Sequence, residues 1–202
     1  MLVVLILTIL IMEGIMDFMI RALEPGMAQV FTDFFERIRF EHSPSWASCF
    51  CRFYHMDCPF EEWKNRTGED NKSAATLAIQ SGEMKGYLAY DGETCIGWVN
   101  ANVASAYPRL QEELKSYDKE KWGLTICYVI DPAYRGQGVM TALLEASIKG
   151  FREASYHGML AAPVMNTDAP EKHYRGKAST YRKYGYKTVE EVDGVEVMEL
   201  RF

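Results

Sequence analysis

One guanidinium and two glycines stand together in Arg135-Gly136-Gln137-Gly138, a spacing suited to holding an anion. Without side chains at the two glycines, backbone N–H groups of the loop converge on a ligand. The positive end of a following helix adds to that field, and phosphate is the anion such a cradle favours. The elements that must position the loop are legible on either side. Ile126 to Ile130 is an apolar run of strand type, and Asp131-Pro132 marks a turn. Beyond the loop, Met140, Leu143, Leu144, Ile148 and Phe151 recur at helical spacing, giving one apolar helix face. A dinucleotide-binding fingerprint is excluded. It needs a third glycine where Thr141 stands, and an acid closing the next strand, where the run from Leu160 to Val164 holds Pro163 and ends at Met165. For the glycine pair alone, an ordinary strand-to-helix turn is the alternative.

Placed directly after Asp131-Pro132, Arg135-Gly136-Gln137-Gly138-Val139-Met140 resembles the acetyl-coenzyme A motif of the GNAT N-acetyltransferase superfamily, Arg/Gln-x-x-Gly-x-Gly/Ala. Arg135 and Gly138 fit, whereas Met140 stands where glycine or alanine is usual. Downstream, Tyr181-Arg182-Lys183-Tyr184-Gly185-Tyr186 resembles the Tyr-x-x-x-Gly-Phe/Tyr signature that closes the cofactor site in that family. Locally, Gly185 reads as the left-handed end of a short helix and Tyr186 to Val189 as the strand after it. The resemblance spans about Met16 to Phe202 and is specific after about Thr125. It implies an α/β (α+β mixed) fold: a central twisted mixed sheet, mostly antiparallel with a splayed parallel strand pair, flanked by helices.

The resemblance also implies a chemistry. Backbone groups of Tyr128, Val129 and Ile130 meet the pantetheine arm of acetyl-coenzyme A, and Arg135, Gly136, Gln137, Gly138, Val139 and Met140 hold its pyrophosphate. A primary amine of a small molecule or peptide attacks the thioester directly, through a tetrahedral intermediate whose oxyanion a backbone N–H stabilises. Tyr181 is the implied general acid; a half-buried helix tyrosine packing on the sheet is the plain alternative. The base is not legible. Thr125-Ile126-Cys127-Tyr128 holds no glutamate, which leaves Glu61, Glu62, Asp57 and His55. Where relatives carry an asparagine before the tyrosine, this chain has His173-Tyr174-Arg175-Gly176. A coenzyme A-binding sensor without turnover remains the second reading.

The 202 residues, 48% hydrophobic and 25% charged, suit one soluble α/β domain. A net charge of −6 speaks against a nucleic-acid partner. Residues 1–15 form an apolar leader followed by a single domain over 16–202. The run from Met1 to Met12 is shorter than the ~20 residues of a membrane span, and it lacks a positive start and a small-residue cleavage site. We expect translation to start at Met16, with Met16 to Leu23 as the first strand, and a cytoplasmic protein without membrane contact. A membrane-anchored interaction protein is the reading the leader alone would support. Homodimerisation is common in the resembled family, and the sequence leaves the oligomeric state open.

In the N-terminal half, Met27, Val30, Phe31, Phe34, Phe35 and Ile38 form a helical apolar stripe after Pro25-Gly26. Helical patterning around Trp63 and Leu77-Ile79 is separated by a polar loop near Gly68 to Asn71. Gly86 to Tyr90 and Thr94 to Asn102 read as a hairpin turning at Asp91-Gly92. Trp98, Asn100 and Asn102 alternate on one face, either lining the acceptor pocket or, for Trp98, filling the core. Five cysteines without a secretory signal read as free thiols. Cys49, Cys51, His55 and Cys58 have zinc-type chemistry but not knuckle spacing, so no metal is expected. Ser48 to Tyr54 reads as strand-like, and this aromatic segment, with Tyr54 and His55, is expected at the acceptor pocket.

Overall fold

Among the residues described by the computed structural model (18–38, 40, 43–167 and 169–202), seven strands pair into one mixed sheet. The leader at 1–15 and the start at Met16 lie outside the described residues. In chain order the elements are β1 (Met19–Ala22), α1 (Ala28–Arg37), α2 (Phe60–Lys64), α3 (Gly68–Gln80), β2 (Gly86–Asp91), β3 (Thr94–Val103), β4 (Trp122–Ile130), α4 (Val139–Glu153), β5 (Gly158–Ala161), α5 (Ala178–Lys183), β6 (Lys187–Val192) and β7 (Val195–Arg201). The sheet order is β1-β2-β3-β4-β5-β7-β6, and every neighbour pair is antiparallel except β4 with β5. This is the expected sheet. β7 had no place in the reading of the sequence, although Asp193-Gly194 and the buried Val195 and Val197 are a hairpin signal. It slots between β5 and β6, so the last hairpin is crossed rather than appended.

Strands apolar on both faces need cover on both. On one side α1 and α3 bring Phe31, Phe34, Phe35, Ala75 and Ile79 against Leu88, Trp98, Leu124 and Ile126. Phe31 meets Trp98 edge-on at 5.0 Å. On the other side α4 and α5 set Leu143, Leu144, Ile148 and Tyr181 against Ala89, Val99, Ala101, Met159 and Met198. The α1 stripe is narrower than the spacing suggested, since Val30 is 38% exposed.

Three further expectations are corrected. The polar stretch at 68–71 is the first turn of α3, not a loop. Thr67 Oγ1 accepts from the Asp70 amide at 3.1 Å and Asp70 Oδ2 accepts from the Thr67 amide at 2.9 Å, a capping box. The hairpin turns at Gly92-Glu93, one residue later than expected, because Asp91 still pairs with Thr94. Residues 48–54 are not a strand. Short 3-10 turns cover Pro44–Ser48 and Phe53–His55, and Phe50 and Cys51 between them take φ of 44° and 52°.

Helix α4 approaches β3 closely because β3 carries Gly97 there. A Cβ on Gly97 would stand 2.9 Å from Val139 Cγ1 and 3.1 Å from Ile130 Cδ1. Val139 opens α4 and is stiff at χ1, so it cannot swing aside. Gly97→Val is therefore expected to lower stability by about 1–3 kcal/mol in urea unfolding. Gly26→Ala, where a Cβ meets nothing within 4 Å, is the neutral control.

Candidate active site

Two irregularities of β4 create an opening at the centre of the sheet. On its parallel side, β4 pairs with β5 only through Trp122, Gly123 and Leu124. Residues 125–130 then run on with no strand beside them on that edge. On its antiparallel side, Trp98 pairs with Val129 and Asn100 with Ile126, so two residues of β4 oppose Val99 alone. Cys127 is the bulged residue, at φ +55°. The bulge breaks the regular alternation of faces along the strand. Ile126, Cys127 and Val129 pack toward the α1 side, and Tyr128 toward the α4 side.

A groove of about 710 Å³ runs along this opening to the start of α4. It is lined by Tyr128, Val129, Ile130, Arg135, Gly136, Gly138, Val139 and Met140, with His173, Tyr174 and Lys177 along it as well. The expected cradle residues are thus gathered, apart from Gln137, whose side chain turns back to donate to the Ala133 carbonyl at 2.8 Å. Gly136 and Gly138 sit at φ of 74° and 89°, and the space where their Cβ atoms would be is open. The first helical bond of α4 is Ala142 N–H to Gly138 C=O at 3.0 Å. Among the described residues the amides of Val139, Met140 and Thr141 have no acceptor, and no side chain caps the helix. A free row of amides beside Arg135 is a cradle chemically fitted to a pyrophosphate.

A second cavity, about 460 Å³, lies on the α1 side and shares Phe40, Trp46, Val129 and Tyr174 with the groove. Its walls include Phe35, Phe53, Tyr54, Phe60 and Trp63, three cysteines (Cys49, Cys51 and Cys127), and two cations, Lys64 and Arg66. Of the expected acceptor residues, Tyr54 lines it. Trp98, Asn100 and His55 do not, and the reason is packing. Trp98 and Asn100 are fully covered. The His55 ring donates from Nδ1 to the Ala106 carbonyl at 2.9 Å and accepts at Nε2 from Asn100 Nδ2 at 2.8 Å. Tyr107 donates to Asn100 Oδ1 at 2.9 Å. This closed chain fixes the neutral Nδ1–H tautomer. Burial, with the nearby Arg52 charge, lowers the His55 pKa to about 4. His55 is therefore a structural group that pins the Phe53–His55 turn to β3, not a base.

Tyr181 is the largest departure from expectation. It is fully buried under α5 and lines neither cavity. Its hydroxyl donates to the Arg175 carbonyl at 2.8 Å, and burial pushes its pKa up to about 12. Sequence reasoning missed the tyrosine that does face the opening. Tyr174 borders both cavities, and its oxygen stands 2.6 Å from that of Tyr54. Arg175 donates to Tyr54 from Nη2 at 2.8 Å and from Nε at 3.1 Å, and to Tyr174 from Nε at 3.3 Å. Guanidinium N–H groups only donate; the single Nε hydrogen is shared between the two hydroxyl oxygens and Nη2 donates to Tyr54, so Arg175 clamps the tyrosine pair. Burial works against the Arg175 charge, yet the two tyrosine oxygens raise its pKa overall, so the cation persists. The only sequence signal was that His173-Tyr174-Arg175-Gly176 replaces the family's asparagine.

Of the four residues with zinc-type chemistry, Cys49 and Cys51 line the acceptor-side cavity. Cys58 takes an Arg109 contact at 3.4 Å and His55 is engaged as above. No group of three or more His, Cys, Asp or Glu with metal-holding geometry exists among the described residues. Nor is any helix among them long and apolar enough to cross a membrane. The other bases considered, Asp57, Glu61 and Glu62, are exposed and line neither cavity.

Comparison with known proteins gives a consistent picture. The Acetyltransferase (GNAT) family pattern matches residues 38–176. No curated protein matches the chain. A GNAT-family acetyltransferase of Listeria monocytogenes superposes with a TM-score of 0.60 at 13% identity, covering 94% of this chain and 97% of that one. The PaiA N-acetyltransferase of Thermoplasma acidophilum, solved in complex with coenzyme A, gives 0.55 at 15% identity over 93% and 100%. The GNAT domain of S. lividans PAT gives 0.54 at 18% identity over 91% and 89%. At such identities these structures speak for the fold.

The His55 chain has a measurable pH signature. Its folded pKa of about 4 lies below the ordinary value of 6.5, so its contribution is fully present above pH 6.5 and is lost as pH falls through 4. The expected loss is at most about 3 kcal/mol. Chemical unfolding between pH 7 and 4 should show this slope, and His55→Gln should flatten it.

Proposed function

Because the chain belongs to the acetyltransferase (GNAT) family, we propose that it is an enzyme transferring the acetyl group of acetyl-coenzyme A to a primary amine by direct attack. The observation that carries this reading is the meeting of the two cavities at Val129 and Tyr174, directly below the free amides of α4. Acetyl-coenzyme A, when bound, supplies the activated acetyl thioester. Residues Gly136, Gly138, Val139 and Met140 would hold its pyrophosphate through their backbone, with Arg135 adding charge. The unpaired edge of Tyr128, Val129 and Ile130 would hold the pantetheine arm and offer an N–H to the thioester carbonyl.

The amine must be neutral to attack. Lys64 and Arg66 in the acceptor cavity, with Arg175 behind Tyr54, favour an uncharged amine there, since nearby positive charge lowers an amine pKa. This reduces the demand on a dedicated base, and solvent can take the proton. For the departing thiolate we assign the acid to Tyr174 rather than Tyr181. Tyr174 would give its proton to the departing sulfur, and Arg175 with the Tyr54 hydroxyl would stabilise the oxygen left behind. Tyr181 becomes a positioning residue, holding the Arg175 carbonyl from below. A cytoplasmic setting and a small-molecule or peptide acceptor, with no nucleic-acid partner, complete the proposal.

Two measurements test it. Calorimetry should give micromolar binding of acetyl-coenzyme A, weakened at least about tenfold in Arg135→Glu. Thiol release with an amine panel should fall about 100-fold in kcat for Tyr174→Phe with cofactor affinity held. Tyr181→Phe should lose less kcat and more stability. Cofactor binding without thiol release from any amine would favour a non-catalytic coenzyme A sensor.

A further inference from the structure

Resting on the acetyltransferase reading, we propose that the acceptor is a primary amine on an aromatic body that also bears a carboxylate, and that Arg66 receives that carboxylate. The walls around the shared opening are aromatic: Phe35, Phe53, Phe60 and Trp63 line the acceptor cavity alone, and Trp46 and Tyr174 line it and the groove. Such walls bind a flat apolar body, and the volume of about 460 Å³ is in the range that encloses small ligands.

The charged groups of the cavity are positive. Among its described lining residues none is Asp or Glu, whereas Lys64 and Arg66 both reach it. Burial keeps the Cys49 and Cys51 thiols protonated, Cys49 with a pKa of about 12, so neither adds a thiolate at neutral pH. A polyamine or an amino sugar would bring its remaining positive charges against these two cations. A carboxylate would meet them favourably.

Arg66 is built for that contact, and Lys64 is not. The Arg66 Nε donates to Asn71 Oδ1 at 2.7 Å and its Nη2 to the Asp70 carbonyl at 3.3 Å. Asn71 is 2% exposed and is itself held by the Ser48 carbonyl at 3.0 Å. The guanidinium plane is thereby fixed, and its Nη1 has no partner among the described residues. A fixed fork with a free N–H is the geometry that recognises a carboxylate. Lys64 instead pairs at 2.9 Å with Glu61 on the exposed surface. Neither Arg66 nor Lys64 borders the cofactor groove, so a carboxylate held by Arg66 leaves the groove to acetyl-coenzyme A.

The test compares L-phenylalanine, L-tryptophan, phenethylamine and spermidine with the full chain. Binding is read by calorimetry with coenzyme A present, and turnover by thiol release from acetyl-coenzyme A. The aromatic amino acids are expected to bind, and to be acetylated with kcat/KM about tenfold or more above spermidine. In Arg66→Gln the kcat/KM ratio of phenylalanine to phenethylamine should fall about tenfold, with part of it restored in Arg66→Lys. Preference for spermidine, absence of aromatic amino acid binding, or an unchanged ratio in Arg66→Gln would each overturn the inference. Turnover of spermidine in preference to the aromatic amino acids would do so while leaving acetyl transfer standing. Binding of aromatic amino acids, weakened in Arg66→Gln, without thiol release from any amine would uphold the ligand class and the Arg66 contact but overturn both the acceptor role and the transferase reading.

Discussion

The site depends on β4 losing its parallel neighbour partway along its length. Past Leu124 the strand keeps β3 on one side but no strand on the other. Unpaired backbone groups in a covered sheet are costly unless something takes their place. The opening is thus a constraint, met in part within the chain where Arg135 Nε donates to the Ile130 carbonyl at 3.3 Å. The bulge at Cys127 adds the second half by turning Val129 to the α1 side and Tyr128 to the α4 side. One strand thereby borders two cavities, whose walls share Val129.

The surrounding elements are placed to exploit that edge. Gly97 lets α4 approach β3 until Val139 touches it, which brings the free amides of the helix start level with the end of β4. Arg37, from the last turn of α1, donates to Asp131 at 2.6 Å and to the Cys95 carbonyl at 2.6 Å, tying that helix to the turn below the cradle. From the opposite side, Tyr174 and Arg175 reach across to Tyr54. The acceptor cavity is therefore closed by contacts between segments some 120 residues apart in sequence. Its walls are aromatic and its charged lining residues, Lys64 and Arg66, are positive.

What was legible in the sequence was local. The cradle could be read because a glycine loop and a helical period of apolar residues are short-range signals, and Gly185 does sit at φ +86° where a helix end was expected. The Tyr181 signature located α5 correctly but not the direction of its hydroxyl, which is set by a carbonyl six residues away. The alternation of Trp98 and Asn100 gave a common face but not what covers it. That cover comes from α1 and from the Phe53–His55 turn, neither of which is written into β3. The stretch at 48–54 has the composition of a strand. Two consecutive left-handed residues, Phe50 and Cys51, turn it instead, and no glycine announces them. Tyr174 had no motif to mark it, since its contacts arise only where Tyr54 and Arg175 converge.

Amide hydrogen exchange with and without acetyl-coenzyme A tests the central claim most directly, because it reports on the backbone groups themselves. The account predicts protection concentrated at residues 128–130 and 136–141 on cofactor addition, with β6 and β7 unchanged. Binding that protects another surface, or that leaves both of those segments exchanging as before, would contradict it.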